Sequence, residues 1–263
     1  MYLITVYDRA TAFARRFRDD RSGLALLEFA FTAPLVVTLG LWGVETANLA
    51  LANLRVSQVA LNLADNASRV GVQSTLVTQQ LREVDINDVF AAARAQGAAW
   101  DLTTRGRITL SSLEADKDGK QTIHWQRCLG MKSGAGYDST YGRTTISGGS
   151  PAAADSTTAS YDPTAGVNTS MSGADNSASH PGSVIPGGMG ETGAKVVSPN
   201  NSGVMFVEIN YDYKPVVGTG WLPNGAAKLR YIASFIVRDR RDFGQVYNPS
   251  PAATLMTCNK YTS

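Results

Sequence analysis

The residues best placed to do chemistry in this chain lie near its start, in the string Arg21-Ser-Gly23-Leu24-Ala-Leu-Leu-Glu28-Phe29, with Pro34 a little beyond. Glu28 is the single charge in the 21 residues 24–44, LALLEFAFTAPLVVTLGLWGV. An acid in such a span costs about 2.5–3.5 kcal/mol at the bilayer centre and less toward the edge, so it needs a partner. Hydrolysis of the peptide bond after Gly23 would supply one. Leu24 would then carry a free α-ammonium about one helical turn from the Glu28 carboxylate. That ion pair, within one chain or between neighbours, offsets much of the desolvation in a low-dielectric setting. The spacing alone also suits, and more readily, a glutamate that snorkels at a helix start, where the dipole favours an anion.

Other candidate chemistries are weaker. The chain has two histidines, His124 and His180, and contains no HExxH, no GxSxG and no phosphate loop. Cys128 follows His124 by four residues. On a strand, positions i and i+4 stand about 13 Å apart, too far for a thiol–imidazole pair. Glu114, Asp116, Asp118 and Gly119 superficially resemble a calcium loop, but Trp125 occupies the position of the bidentate glutamate, so no metal is expected. No catalytic residue, cofactor or small-molecule substrate is expected. The only cysteines, Cys128 and Cys258, both lie downstream of the apolar run. In a periplasmic domain such a pair can form a disulfide; the alternative is two unrelated buried thiols.

The elements that must position these residues follow from charge and periodicity. The 263-residue chain holds 24 basic and 22 acidic residues, too near neutrality to suggest nucleic acid. The excess sits in 1–23, where Arg9, Arg15, Arg16, Arg18 and Arg21 face Asp8, Asp19 and Asp20. Residues 24–44 are long enough to cross a hydrocarbon core of about 30 Å. Basic residues before a first span are retained in the cytoplasm, which predicts a basic cytoplasmic leader (1–23) and a bulk outside. Beyond the span, 45–70 contain no Gly or Pro. Val56, Val59, Leu63, Ala67 and Val70 recur at three- and four-residue steps, which predicts one continuous membrane-spanning and amphipathic helix over 24–70. Gly40, Gly43, Ala47 and Ala50 form a small-residue face suited to close helix packing in lipid, although such residues are common in spans.

The region 71–132 predicts a helix over 88–96, capped by Asp85 or Asn87 and ended by a left-handed Gly97. It also predicts strands over 107–114 and 121–128, joined through DKDGK with both central turn residues at positive φ. Residues 133–203 are rich in Gly, Ser, Thr, Ala and Pro and predict a long disordered insertion, with a short strand over 194–198. Residues 204–263 carry two more strands, over 204–214 and 229–238. The first alternates Phe206, Glu208, Asn210 and Asp212 against Met205, Val207, Ile209, Tyr211 and Tyr213. The basic run Arg238-Asp-Arg-Arg241 reads as a solvated strand end, with lipid head groups or an acidic partner as the alternative. The fold class is α+β: a long N-terminal helix followed by a small antiparallel sheet domain.

Gly23 followed by four apolar residues and Glu28-Phe29 resembles the prepilin-peptidase site of the Tad (tight adherence) pilus family. The surrounding RSGLALLEFAFTAP, the apolar run, Glu45 and the polar helix ending in ADNASRVG resemble TadE-like proteins over about residues 21–71, with an echo in VEINYDYKPVVG (207–218). The resemblance implies a pilin-like minor pilin or pseudopilin, cut after Gly23 by a separate prepilin peptidase. Leu24 would be its new N-terminus, Glu28 its assembly and processing determinant, and other Tad pilus components and pilins its partners at the bacterial inner membrane. Two readings compete. In one, the apolar run is a secretory signal cut after Ala52, at Ala50-Leu51-Ala52, releasing a periplasmic binding module. In the other nothing is cut, and a single-pass anchor tethers a structural domain.

Overall fold

The computed structural model describes residues 11, 13–16, 18, 23–73, 79–139, 141, 167–168, 183–221, 227–243, 246–258 and 260–263. Most of the basic leader (1–23) lies outside them, as does much of the insertion expected to be disordered (133–203). The described chain is α+β: a long apolar helix at the start and a small antiparallel sheet.

Helix α1 runs Leu24–Arg69 without a break, 46 residues and so about 70 Å. Its two halves meet different surroundings. In the first, Leu26, Phe31, Leu35, Val36 and Leu39 are each about two-thirds exposed or more. In the second, Val56, Val59, Ala60, Leu63, Ala64 and Ala67 are buried, the stripe expected from the three- and four-residue spacing plus the two alanines between.

That stripe packs on a five-stranded sheet built from β3 (Gly106–Ala115), β4 (Gln121–Leu129), β6 (Ser183–Val184), β9 (Ser202–Tyr213) and β10 (Ala227–Ile236). The order is β10-β9-β3-β4-β6, antiparallel throughout. Short strands β1 (Val72–Gln73) and β2 (Gln79–Gln80) pair beside it, as do β5 (Val167–Asn168) with β11 (Val246–Tyr247) and β7 (Met189–Glu191) with β8 (Ala194–Val196). Met205, Val207, Ile209, Tyr211 and Tyr213 of β9 join Ile108, Leu110, Trp125 and Leu129 beneath α1, so the alternation in the sequence sets the register. A bulge between Ser112 and Leu113 opposite β4 lets Ile123 and Trp125 face opposite sides. Ile123 then meets Leu113, Val204, Phe206, Ile185 and Met189 in a second cluster. Residues 185–203, part of the segment expected to be disordered, are therefore anchored by Ile185 and Met189.

Three local expectations are corrected. The second helix, α2, spans Glu83–Gly97 rather than 88–96; Asp85 lies inside it and accepts from the Arg82 backbone N–H at 3.0 Å. Gly97 is right-handed (φ −88°), and the chain continues through a 3₁₀ turn, Ala98–Trp100, to Asp101, the left-handed residue (φ 56°) before helix α3 (Leu102–Arg105). Glycine is needed at 97 for space, because a Cβ there would stand 2.4 Å from that of Leu102. In the β3–β4 turn only Gly119 has positive φ (79°). Asp116 Oδ1 accepts from the N–H groups of Asp118 and Lys120, which closes the loop without a left-handed Asp118.

Two arginines invisible to periodicity are fully buried. On the helix side, the Arg127 guanidinium donates from Nε to both oxygens of Glu83 (2.9 and 3.1 Å) and from a terminal nitrogen to one of them, tying α2 to the sheet. On the other side, Arg107 donates to the carbonyls of Gly130, Lys260 and Cys258 at 2.7–2.8 Å. The C-terminal tail held there is also fixed by the Cys128–Cys258 disulfide, so the two thiols are one bridge.

Removing one member of the Glu83–Arg127 pair leaves a buried charge without its partner. Glu83→Ala should therefore lower the unfolding free energy by about 3–5 kcal/mol, read from tryptophan fluorescence in denaturant, while the paired change Glu83→Leu with Arg127→Met recovers most of the loss.

Candidate functional site

The functional region is α1 itself and what grips it. Gly23 precedes the first helical residue, and its carbonyl already accepts the Leu27 N–H at 3.1 Å. The Gly23–Leu24 bond therefore lies at the helix entry, with Leu24, Glu28 and Phe29 exposed. Leu24 and Glu28, at i and i+4, share a helix face. Among the described residues no basic group lies within ion-pair distance of the Glu28 side chain. The Glu28 backbone carbonyl accepts from the Thr32 hydroxyl at 2.8 Å, two residues before Pro34, and the helix passes through that proline unbroken. Gly40, Gly43 and Ala47 are exposed, and a Cβ at either glycine would meet nothing within 4 Å.

At the far end of the apolar run the surroundings change abruptly. Glu45, one residue past the segment, is 1 % exposed. Its carboxylate accepts from the Tyr213 hydroxyl at 2.8 Å and from the N–H groups of Val216 and Val217 at 3.0 and 2.8 Å. These donors come from the end of β9 and the loop after it, so the acid fastens the sheet domain to the helix where the apolar segment ends. Burial, reinforced by the bond to Glu45, pushes the Tyr213 hydroxyl well above its ordinary value, so it stays a donor. The sequence shows Glu45 only as an acid after an apolar run; its partners lie some 170 residues away. Tyr213 and Val216-Val217, within the 207–218 echo, were the available signal.

A second grip was also missed. Arg241, expected at a solvated strand end, is buried and donates to the carbonyls of Ala67 (2.9 Å), Ser68 (3.1 Å) and Val70. These are the carbonyls that a helix leaves unpaired at its C-terminus, where the dipole also favours a cation. Burial lowers the Arg241 guanidinium to about 10. Arg238, Asp239 and Arg240 are exposed, as expected.

His124 Nε2 lies 2.7 Å from Glu114 on the neighbouring strand, and Cys128 is in the disulfide. Glu208 is buried against Arg230 at 3.5 Å, with Oε2 lacking a hydrogen-bond partner. No family model, curated protein or solved structure matches the chain.

Two outcomes are expected here. In Glu45→Ala, hydrogen exchange at Val216 and Val217 accelerates about tenfold or more, the loss of a charged hydrogen bond, while exchange across β9 and β10 is unchanged. Unchanged exchange in the loop would show that Glu45 does not hold it. Burial pushes the Glu208 carboxyl above its ordinary value, opposed by Ser139 and Arg230. The folded chain therefore favours the protonated acid, and stability falls as pH rises from the ordinary value of 4.5 toward the raised one. Glu208→Gln should raise the Tm at neutral pH, with the gain shrinking as pH falls toward 4.5.

Proposed function

We propose that the chain is a TadE-like minor pilin or pseudopilin, non-catalytic, inserted once in the inner membrane and cut after Gly23 by a prepilin peptidase. The observation that carries this reading is the string Arg21-Ser-Gly-Leu-Ala-Leu-Leu-Glu28-Phe29 at the entry of a helix whose apolar half is left bare. Cutting there turns the Leu24 amide into an ammonium on the same face as Glu28. The acid then has a counter-ion at the edge of the hydrocarbon, in its own chain or in a neighbour's.

Three further features support it. Among the described residues α1 is long and apolar enough to span a membrane. Its second half packs on an antiparallel sheet, which suits the reading of a long helix that carries a small sheet domain. The Cys128–Cys258 bridge suits a domain outside the reducing cytosol, and the arginines before the span orient the leader inward. In this reading Gly40, Gly43 and Ala47 face other membrane helices of the assembly, and the sheet domain contributes to pilus biogenesis and adhesion.

The protein recovered from its native membranes should begin at Leu24, and Glu28→Ala should cut pilus number about tenfold or more, as expected if each assembly step loses about 1.4 kcal/mol. An intact Met1 would make the chain a plain anchor, and Asn53 a secreted module. Normal piliation in the Glu28 variant would remove that residue from assembly.

A further inference from the structure

A cavity of about 300 Å³ opens between α1, the Ala98–Trp100 turn, and the end of β9. Asn48, Leu51, Ala52 and Arg55 form its helix wall; Trp100, Arg105, Lys214 and Val216 form much of the rest. Its height is fixed by the helix. At about 1.5 Å per residue, Asn48 to Ala52 stand roughly 6–12 Å beyond Val44, within and just above the headgroup layer if the apolar run fills the hydrocarbon. Val216 lies lower still. Its N–H is bonded to Glu45, and its side chain is 70 % exposed.

Val216 and Lys214 lie nearest the end of the apolar run, beside the donors to Glu45, and the basic groups are Arg55, Arg105 and Lys214, against the single acid Asp101. Arg105 donates from Nε to the Asp212 carbonyl at 3.0 Å, which directs its guanidinium while leaving its charge unneutralised. Among the described residues neither Arg55 nor Lys214 has an ion-pair partner. Helical side chains tilt toward the helix N-terminus, so Arg55 leans toward the membrane. Trp100, edge-on to Tyr211 at 4.9 Å between ring centres, supplies the amphipathic ring typical of the membrane interface.

We infer that this cavity binds the phosphodiester headgroup of an anionic phospholipid, with Arg55, Lys214 and Arg105 on the phosphate and Val216, the lining residue nearest the end of the apolar run, toward the start of the acyl chains. A volume near 300 Å³ is at the small end for ligand sites, enough for a headgroup but not for a whole lipid. The site orients the sheet domain on the membrane surface, adding a second contact to the single helix. It depends on α1 crossing a membrane and is independent of processing at Gly23.

The test is native mass spectrometry of the full chain in detergent, titrated with phosphatidylglycerol or phosphatidylcholine of the same acyl chains. The wild type should retain one phosphatidylglycerol in preference to phosphatidylcholine. Arg55→Gln with Lys214→Gln should weaken that lipid about thirtyfold, a factor of about five for each basic residue at an anionic surface, and leave phosphatidylcholine unaffected. Arg55→Lys with Lys214→Arg should keep the preference, which separates lost charge from lost structure. Equal retention of the two lipids by the wild type, or an undiminished preference in the Gln variant, overturns the inference. So does displacement of the lipid by millimolar inorganic phosphate, which would make the cavity a free-anion site.

Discussion

The carboxylate of Glu45 sits where α1 passes from its bare apolar half to the half packed against the sheet, and the rest of the architecture depends on how that acid is satisfied. A buried carboxylate without donors costs several kcal/mol, so the chain must bring polar hydrogens to it. It does so with the Tyr213 hydroxyl and two consecutive backbone amides. Because those donors terminate β9, the central strands are fixed in height along α1. With Arg241 on the last carbonyls of the same helix, the packed half of α1 is gripped at both ends, and its alanine-rich stripe can lie close to the sheet between them. The grips complement each other: an acid holds amides at the end of the apolar run, and a base holds carbonyls about 24 residues further on.

The face of the sheet away from α1 is held differently. Thr109, Ser111, Gln126, Glu208 and Asn210 are buried on it, flanking Arg107, and a polar face needs covering groups that can hydrogen bond. The carbonyls of Tyr137 and Tyr141 cover part of it, accepting from Asn210 and Gln126, and the C-terminal tail covers the part around Arg107 with its main chain. Its carbonyls accept from Arg107 and from the N–H groups of Cys128 and Gly130, and the disulfide holds it in place. Closing a loop of 130 residues removes much conformational freedom from the unfolded chain, on the order of 4–5 kcal/mol in the chain-entropy account. The bridge therefore stabilises a face that apolar burial alone would leave weak.

What was legible in the sequence divides along physical lines. Periodicity placed α1 to within a residue, and it placed both faces of β9, because alternation and the 3.6-residue stripe are local properties. The Asp-Gly turn and the lone cysteine pair were likewise readable. Glu45, Arg127 and Arg241 were not readable as structural residues, because a charged side chain looks the same in sequence whether solvated or buried against a distant partner. Helix α2 was placed too short because its start is set by Arg82 and Asp85 acting together, and the need for glycine at 97 arises from Leu102, which comes close only once the chain has turned. Residues 185–203 looked unable to order themselves because the surface that receives Ile185 and Met189 is made by strands far away in sequence.

Glu28 and Glu45 bracket the apolar run, and the contrast between them bears most directly on function. Each is an acid at the edge of a segment with no other charge, so each poses the same electrostatic problem. Glu45 is answered from within the chain, by donors that its own fold delivers. Glu28 projects from a bare helix, and among the described residues nothing basic stands near it. Its flanks, Leu24 and Phe29, are exposed, and under the proposed reading they meet lipid or another helix, neither of which supplies a counter-charge by itself. A new α-ammonium one turn away does, and in a row of parallel helices it can serve the next chain as well as its own. The unanswered acid is therefore what the proposed processing at Gly23 would satisfy, in its own chain or in contact with another subunit.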